Sequence, residues 1–452
     1  MPIDDIGRPA SLHGWGRTAA TTATVMSPRS VAEISSAITR AGSRGVIARG
    51  LGRSYGDAAQ NSGGLVVDTT RLDRISLDPV TGLVTAEAGA SLDAIMRVLL
   101  PQGWFVPVTP GTRSVTVGGA VGADIHGKNH HVDGSFGTWV RSLLLVGADG
   151  TVREVAGDFG NPLFAATIGG MGLTGVVAEV TFQAIRSETA YVSVLTRRAA
   201  NLAEALELMR DDNDYRYTVA WIDLLARGET MGRSVLTLGN HLTRAELPAS
   251  KQARASAFAP ATRLSAPPMP SGLLNPLSVR AFNELWYRKA PRVPATTIES
   301  IGHFFHPLDG VADWNRLYGR AGLMQYQFVV PLEATAVLRG LVERLNEHQL
   351  ASFLAVLKRF GPGSGGYLSF PTGGWTLAVD LPVRPGRMAG VFDEMDREVA
   401  AAGGRIYLAK DAVMRRGMAE QMYPDLEKFR AVRADIDPSG VFVSDQSRRL
   451  GL

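Results

Sequence analysis

The sequence contains no cysteine. A chain without thiols has no disulfide bond, no thiolate ligand for zinc, no cysteine nucleophile and no thioether bond to a cofactor. A run of about 18 apolar residues, the length that a membrane-spanning helix requires, does not occur either, and residues 1–18 lack the apolar core of a signal peptide. We therefore expect no signal peptide and no transmembrane segment. The protein is expected to be soluble or peripherally attached to the inner membrane or cell envelope, on a side that the sequence leaves open.

A strong excess of one charge is also missing. The chain has 47 Lys and Arg residues against 43 Asp and Glu residues, a formal net charge of +4. Without a dense basic stripe or a nucleic-acid-binding motif, nucleic acid is not an expected partner. The small positive balance suits a phosphorylated substrate or an anionic membrane surface, but a few surplus surface arginines are the favoured explanation. At 452 residues, the chain is long enough for two domains.

Short strands and helices alternate in the first 187 residues. Ser30 and Glu33 have capping-box spacing and predict a helix over 28–42. Asp149 and Gly150 predict the turn of a hairpin over 141–155. The remaining elements expected here are strands over 45–50, 64–69, 83–90 and 175–185, and a helix that begins at Ser91 and ends before Pro101 and Gly103.

The second half of the chain has longer elements. After a helix over 201–212, the order strand, helix, strand, strand, helix is expected over 325–332, 337–348, 353–360, 376–383 and 387–404. This order is typical of an antiparallel sheet with helices on one side. The Pro-, Ala- and Ser-rich stretch 247–278 is too long for a simple connection, so we interpret it as part of a mobile lid over about 247–300.

Glycine is concentrated in three clusters, at 49–57, 110–131 and 168–177. The first cluster, RGLGRSYGD, follows a predicted strand, but the residues after it cannot form the long helix that a Rossmann dinucleotide site requires. Backbone amides in turns can bind phosphate without a helix, and Arg49 or Arg53 would add charge, although a tight structural turn is the alternative. Together the three clusters indicate an extended ligand with a pyrophosphate and two flat ends.

Three histidines lie close together in the second cluster, VGGAVGADIHGKNHH: His126, His130 and His131. A metal site built on His126 and His130 would need a helix to place both on one face. Gly127 and the glycines before it disfavour such a helix. We therefore expect no metal site.

The chain resembles the FAD-linked oxidoreductases of the vanillyl-alcohol oxidase type, which have the PCMH fold. The three glycine clusters and DPSGVFVSDQSRRL (437–450) are similar to the flavin-binding and closing segments of that family. DIHGKNHH, ELWYRK, QYQF, LSFP and YLAKD occur in the same order in one branch, the flavin subunits of decaprenylphosphoryl-β-D-ribose 2′-epimerases. The resemblance covers nearly the whole chain.

This resemblance implies an α+β fold with two domains. They are a PCMH-type FAD-binding domain (1–187) and an antiparallel-sheet substrate domain covered by helices (188–404), and a C-terminal segment (405–452) returns to the first. It also implies FAD-dependent oxidation of the ribose 2′-hydroxyl of the lipid-linked sugar to a 2′-keto intermediate. That step is the first half of an epimerisation that supplies arabinose for cell-wall arabinan, and a separate NAD(P)H-dependent keto-reductase completes it.

Three alternatives remain open. The first is a soluble aldonolactone or alditol oxidase of the same fold, and the second is a paralogue for another polyprenyl-phospho-sugar. The third belongs to another class: a metal-dependent hydrolase or sugar-binding module built around the histidines. Ala378 and Thr376 bear on the second, because close relatives usually carry cysteine and asparagine at these positions.

The resemblance also implies roles for individual residues. Many relatives attach FAD covalently through a histidine where this chain has Arg53, so non-covalent FAD is expected. Lys410 is the first candidate for the base that takes the hydroxyl proton, with His126 and Tyr55 as alternatives. The residues expected to bind the cofactor are Arg49, Gly50, Leu51, Gly52, Arg53, Ser54, Tyr55, Gly111, Thr112, Val115, Gly118, Gly119, Gly122, Ala123, Ile125, His126, Gly127, Asn129, Gly172, Gly175, Val176, Tyr407, Ala409 and Lys410.

A second set of residues is expected at the substrate. Gln325 and Gln327 are two residues apart on a predicted strand and therefore share a face, as do Lys358 and Phe360. Apolar residues of the lid are expected to contact an isoprenoid chain or a membrane surface: Leu273, Leu274, Leu277 and Trp286. The full set implied at the substrate is Arg316, Tyr318, Gln325, Gln327, Lys358, Phe360, Thr376 and Ala378.

Overall fold

The computed structural model describes residues 7–211, 214–260, 264–350, 352–383 and 388–452. The first part of the chain forms two main sheets, with strand orders β1-β2-β4-β3 and β5-β6-β10-β8-β9. The strands are β1 Arg8–His13, β2 Ala20–Met26, β3 Val46–Arg49, β4 Leu65–Asp68, β5 Ile75–Leu77, β6 Leu83–Glu87, β7 Trp104–Phe105, β8 Val140–Val146, β9 Val152–Ala156, β10 Val176–Gln183 and β11 Ile185–Arg186. The helices are α1 Val31–Thr39, α2 Leu92–Leu99, α3 Val117–Gly122, α4 His130–Asp133 and α5 Pro162–Thr167.

Local signals in the sequence explain several of these bounds. The Ser30 hydroxyl accepts a hydrogen bond from the Glu33 backbone N–H at 3.2 Å, so α1 begins at Val31, inside the predicted range. Strands β8 and β9 pair antiparallel on either side of the Asp149-Gly150 turn, and Gly150 has a φ of +76°. The predicted helix and hairpin are both confirmed. No helix follows the first glycine cluster within the described residues before β4, in agreement with the rejection of a Rossmann site.

The second part of the chain is organised around an eight-stranded antiparallel sheet of order β16-β12-β14-β13-β19-β20-β18-β21. The strands are β12 Tyr191–Ala199, β13 Tyr217–Ile222, β14 Ser234–His241, β15 Leu264–Ser265, β16 Ala295–Ser300, β17 Val311–Ala312, β18 Leu323–Val330, β19 Ala355–Phe360, β20 Gly374–Pro382 and β21 Arg405–Ile406. The helices are α6 Leu202–Asp211, α7 Ala249–Gln252, α8 Pro276–Lys289, α9 Ile301–Phe305, α10 Thr335–Glu347, α11 Ala389–Ala401, α12 Met418–Met422, α13 Leu426–Ile436 and α14 Asp445–Leu450.

Strand alternation divides this sheet into a covered face and an open face. Tyr326 and Phe328 of β18 are buried, and the Tyr326 ring lies 4.9 Å from that of Phe392 on α11. Gln325 and Gln327, one residue out of phase, lie on the opposite face. The predicted order strand, helix, strand, strand, helix is confirmed as β18, α10, β19, β20, α11. Residues 212 and 387, at the edges of two predicted helices, lie outside the described residues.

The predicted lid segment contains regular structure. α8 lies within it, and β16 pairs antiparallel with β12 at the edge of the large sheet, so residues 295–300 belong to that sheet. The β-branched residues of ATTIES account for this strand. Residues 261–263 of the segment lie outside the described residues. The lid as a moving unit stays a prediction.

The C-terminal segment contacts both parts of the molecule. β21 extends the large sheet by pairing with β18, and Phe442 then forms a parallel bridge with Val46 of β3. Arg449 donates to Asp57, in the first glycine cluster, at 2.7 Å. None of the described helices has the length and apolar character needed to cross a membrane.

Candidate active site

The three glycine clusters lie around one cavity of about 800 Å³, which we call the central cavity. The open face of the large sheet and the segment 407–410 complete its walls. The sequence-predicted residues that line it are Arg49, Gly50, Leu51, Gly52, Arg53, Ser54, Tyr55, Gly111, Thr112, Val115, Gly118, Gly119, Gly122, Ala123, Ile125, His126, Gly172, Gly175, Gln325, Gln327, Lys358, Ala378, Tyr407, Ala409 and Lys410.

Seven predicted site residues do not line the central cavity: Gly127, Asn129, Val176, Arg316, Tyr318, Phe360 and Thr376. Val176 is fully buried in the core below the sheet, and its neighbour Val177 faces the cavity instead. Arg316 pairs with Asp313 beside a smaller pocket, and its carbonyl accepts from Met269 of the predicted lid. Thr376 and Phe360 act one layer behind the wall, because they contact Gln327 and His126 respectively.

The first glycine cluster is a tight turn after β3. Gly52 has a φ of +64°, a conformation that favours glycine. The Arg49 guanidinium donates to the carbonyls of Ala59 and His13, so it stabilises the turn itself. The Arg53 guanidinium lies 4.3 Å from the ring centre of Trp15.

The second cluster differs from the prediction in one respect. The glycine-rich run 117–122 is helical, because the Thr116 hydroxyl caps α3 by accepting from the Gly119 N–H at 3.2 Å. The helix ends at Gly122, and His126 lies beyond it while His130 begins α4. The two histidines therefore do not share a helix face. Among the described residues, no group of three His, Cys, Asp or Glu side chains is placed to hold a metal ion.

His126 is a neutral group at the centre of the cavity wall. Its Nε2 lies 3.0 Å from the Gln327 amide nitrogen, and its Nδ1 lies 3.4 Å from the Lys358 Nζ. Burial, and then the charge of Lys358, lower the pKa of His126 well below its ordinary value. Both neighbours approach with N–H donors, and a neutral imidazole has one acceptor nitrogen, so His126 accepts a hydrogen bond from only one of them at a time.

Lys410, Tyr55, Gln325 and Asp380 form a second buried group. The Lys410 Nζ lies 4.1 Å from the ring centre of Tyr55, and the Tyr55 hydroxyl accepts from the Gln325 amide at 3.3 Å. Gln325 also donates to the Asp380 carboxyl, whose Oδ2 has no hydrogen-bond partner in the part of the chain that the structure describes. Burial raises the pKa of Asp380 and lowers that of Lys410.

The same environment limits what Tyr55 can do. Burial, and then the charge of Asp380, raise the pKa of the Tyr55 phenol well above its ordinary value. A phenol held neutral in this way donates a hydrogen bond rather than taking a proton. Of the three residues proposed as the base, Tyr55 is therefore the least suited.

Two residues of this region, Asp380 and Lys128, were not predicted from the sequence. Asp380 follows Ala378 on the same face of β20 and lies opposite Gln325 in the sheet register, so strand alternation could have identified it. Lys128 stands inside the quoted motif DIHGKNHH, lines the cavity and donates to the carbonyl of Phe304. Burial, and then the charge of Lys358, lower the pKa of Lys128 to about 7.

Two glycines of the walls are needed for close packing between protein segments, and a third borders open space. Gly50 and Gly118 have no space for a Cβ atom: at Gly118 it would lie 2.8 Å from the Ala88 Cβ. At Gly111 no heavy atom lies within 4 Å of the Cβ position, so the backbone there borders open space. A volume of about 800 Å³ lies within the range of cofactor sites. These residues fit a dinucleotide.

Comparison with known proteins identifies the family. Residues 22–156 match the model of an FAD binding domain, and residues 323–450 match the model of D-arabinono-1,4-lactone oxidase. Decaprenylphosphoryl-β-D-ribose oxidase of Mycolicibacterium smegmatis is 45% identical over 450 residues, which cover 98% of this chain and 97% of that protein. The chain belongs to the decaprenylphosphoryl-β-D-ribose oxidase family. Membership makes it an FAD-dependent oxidoreductase with the two-domain PCMH-type α+β fold, and FAD is its cofactor.

Two further relatives are similar to this chain at different levels of identity. An uncharacterized protein of Streptomyces coelicolor is 43% identical over 80% of this chain and 100% of its own length. L-gulono-1,4-lactone dehydrogenase of Mycobacterium tuberculosis is 24% identical over 94% of this chain and 95% of its own. The lactone enzymes are thus more distant than the decaprenylphosphoryl-β-D-ribose oxidase.

Proposed function

We propose that the protein oxidises the ribose 2′-hydroxyl of decaprenylphosphoryl-β-D-ribose to the 2′-keto sugar, with non-covalently bound FAD. The observation that carries the proposal is the identity of 45%, over nearly both full lengths, to an oxidase named for that substrate. The cavity supports it, because amide and ammonium groups suited to a phosphorylated sugar line it: those of Gln325, Gln327, Lys128, Lys358 and Lys410. The identity of 24% to a lactone dehydrogenase favours the aldonolactone alternative less.

In the proposed reaction, the C2′ carbon loses a hydride and its hydroxyl loses a proton. When bound, FAD supplies the two-electron acceptor for the hydride. Lys410 takes the proton. Burial lowers its pKa and so favours the neutral amine that acts as the base, and the charge of Asp380 favours the ammonium that forms. His126 and Gln327 hold the sugar hydroxyls, and Gln325 fixes the Asp380 carboxyl.

Two further lysines suit the phosphate of the substrate. Lys128 and Lys358 line the cavity, and burial lowers the pKa of Lys358 to about 8. Buried cations of like charge are costly unless an anion compensates them. A phosphate between them would restore their charge and anchor the sugar.

The wider context follows from the same proposal. The keto sugar must be reduced by a separate NAD(P)H-dependent reductase to complete the epimerisation. A decaprenyl chain resides in a bilayer, so the protein contacts the membrane peripherally while it acts.

Anaerobic titration tests the proposed function directly. Polyprenylphosphoryl-ribose should bleach the flavin absorbance of the purified protein in a single turnover, and the product should be a 2′-keto sugar by mass. Free alditols and aldonolactones serve as the comparison substrates. Bleaching by these alone, without the lipid phosphate, would select the soluble sugar oxidase instead.

Non-covalent binding of FAD predicts that denaturing the protein releases the flavin. Acid precipitation of the holoprotein should leave the yellow colour in the supernatant, since the chain has no cysteine and Arg53 stands where many relatives carry histidine. The supernatant spectrum and the mass of the precipitated chain measure it. Flavin that remains with the pellet, or a chain mass raised by FAD, would contradict the prediction.

The Asp380 carboxylate is predicted to set the pH dependence of flavin reduction. Burial lowers the pKa of Lys410 and the charge of Asp380 raises it, so Asp380→Asn leaves only the lowering effect. If neutral Lys410 is the base, the rate rises with pH through the lysine pKa, and the midpoint moves to lower pH in the variant. A shift of about one pH unit is expected from the loss of one neighbouring charge.

Asp396→Asn is the matched control for this experiment. Asp396 is also buried, burial also raises its pKa, to about 7, and it accepts a hydrogen bond from Tyr326. It belongs to α11, on the covered face of the sheet, and does not line the cavity. The pH profile should stay unchanged in this variant. A midpoint that moves upwards in Asp380→Asn, or equally in both variants, would exclude the proposed role.

A further inference from the structure

Helix α8 buries Val279 and the polar Asn283 against the protein, and most of its large apolar side chains face the solvent. On the inner side, the Asn283 amide donates to Asp223 at 2.7 Å, and Glu284 pairs with Arg233 at 2.6 Å. On the outer side, Leu277 and Leu285 are 76% and 69% exposed. A surface helix of a soluble domain normally has the opposite orientation.

The outward residues form one continuous surface. Leu277, Ala281 and Leu285 are spaced by four residues and lie on one stripe, and Phe282 and Trp286 form the adjacent stripe. The rings of Phe282 and Trp286 stack at 6.0 Å, and both remain about two-fifths exposed. We call these five residues the α8 apolar face. Contiguous exposed apolar surface of this kind marks an interaction site.

Basic residues surround the α8 apolar face. Four basic residues lie on the helix or directly after it: Arg280, Arg288, Lys289 and Arg292. The helix has one acidic residue, Glu284, and its charge is paired with Arg233 and Arg288. The Lys289 Nζ lies 5.4 Å from the Trp286 ring centre. Apolar and tryptophan side chains flanked by cations are the composition of helices that lie in the interface of anionic membranes.

The same helix borders the central cavity. Trp286 and Lys289 line the cavity, as do Ala290 and Pro291 after the helix. A ligand that extends from the cavity past Trp286 therefore reaches the α8 apolar face. We propose that the α8 apolar face docks on an anionic phospholipid bilayer and so presents the cavity to a substrate whose lipid chain stays in the membrane. This inference rests on the proposed function for the identity of that lipid-linked substrate.

Vesicle co-sedimentation tests the docking. The holoprotein should sediment with vesicles of phosphatidylcholine and phosphatidylglycerol, and less with phosphatidylcholine alone or at high salt. The double variant Leu277→Ser/Leu285→Ser removes two highly exposed side chains that do not line the cavity. Binding should fall at least about tenfold, since each leucine contributes apolar area to insertion.

A matched control uses exposed apolar residues elsewhere. Val80→Ser/Val152→Ser changes side chains that are 78% and 46% exposed in the first part of the molecule, and vesicle binding should remain at the wild-type level. Loss of binding in the control pair, or its retention in the α8 pair, would overturn the proposal. Wild-type protein that does not sediment with anionic vesicles would overturn it too. So would wild-type dimers that become monomers in the α8 pair, because the face would then be a protein interface.

Activity separates this inference from the proposed function. With a water-soluble short-chain polyprenylphosphoryl-ribose, wild type and the α8 pair should reduce the flavin equally. With the long-chain substrate in vesicles, the α8 pair should be slower by about the factor lost in binding. Turnover of the short-chain substrate without vesicle binding would refute the membrane docking alone, and no turnover of either substrate would refute the proposed function.

Discussion

Replacing Lys410 with methionine is expected to slow flavin reduction by the phospho-ribose substrate by about 10²–10⁴-fold, the usual contribution of a positioned base. Methionine has a similar length and flexibility but no basic nitrogen. Lys410 lines the central cavity, and its Nζ lies 4.1 Å from the Tyr55 ring centre, so the substitution removes the nitrogen and leaves the apolar contact. Stopped-flow absorbance under anaerobic conditions measures the rate at equal FAD content.

Two comparisons make this result specific. Lys428→Met removes an exposed lysine that pairs with Asp425 on the surface, and it should leave the rate unchanged. His126→Ala removes the other candidate base and should weaken sugar binding more than the chemical step. If the Lys410 variant keeps the wild-type rate while the His126 variant loses it, the base is His126 and the assignment proposed above is wrong.

Alternation along strands made much of the site predictable. Gln325 and Gln327 were expected on one face of a strand, and β18 places both on the cavity side with Tyr326 turned to the core. The same alternation on β20 should have added Asp380 beyond Ala378. Asp is rarely buried in proteins, so the residue type alone does not indicate that Asp380 belongs to the site.

Other misplacements arose where the backbone departs from a regular pattern. Gly175, with a φ of +151°, comes directly before β10. Val176 and Val177 are consecutive residues of this strand and face opposite sides of the sheet, and Val177 is the one that lines the cavity. Asp313 has a φ of +51° and precedes the 3₁₀ turn that places Tyr318 in a buried cluster with Tyr55 and Trp314. Those two residues line the cavity, and Tyr318 lies behind them. A single sequence does not reveal irregularities of this kind, since they depend on packing between distant segments.

The α8 apolar face was predictable only in part. The sequence analysis singled out Leu277 and Trp286 as apolar residues of a lid. The hydrogen bond of Asn283 to Asp223 and the ion pair of Glu284 with Arg233 cannot be predicted from the sequence, because these partners lie more than 50 residues away along the chain. The inverted orientation of α8 is a tertiary property, and it is the reason why the apolar residues stay exposed.

Gly122→Leu is expected to weaken FAD binding by about 5–150-fold, the equivalent of the 1–3 kcal/mol that overpacking costs. Gly122 ends α3 and faces the third glycine cluster, where a Cβ atom would lie 3.7 Å from the Gly172 nitrogen. The two segments are joined by a hydrogen bond from the Met171 N–H to the Gly122 carbonyl at 2.8 Å. Gly122 lines the central cavity, so we expect a leucine side chain at this position to extend into it.

Gly122→Ala is the matched control, because its Cβ stands in ordinary van der Waals contact and leaves the cavity open. FAD content by absorbance, a dissociation constant by titration of the apoprotein, and the thermal midpoint of both variants give the result. Loss of FAD from the leucine variant, with a folded chain and a normal alanine variant, would place the cofactor against the cavity wall formed by Gly122 and Gly172. A folded leucine variant that retains FAD with wild-type affinity would show that the cofactor lies elsewhere in the cavity, and the roles inferred for Lys410 and His126 from their neighbours would lose their basis.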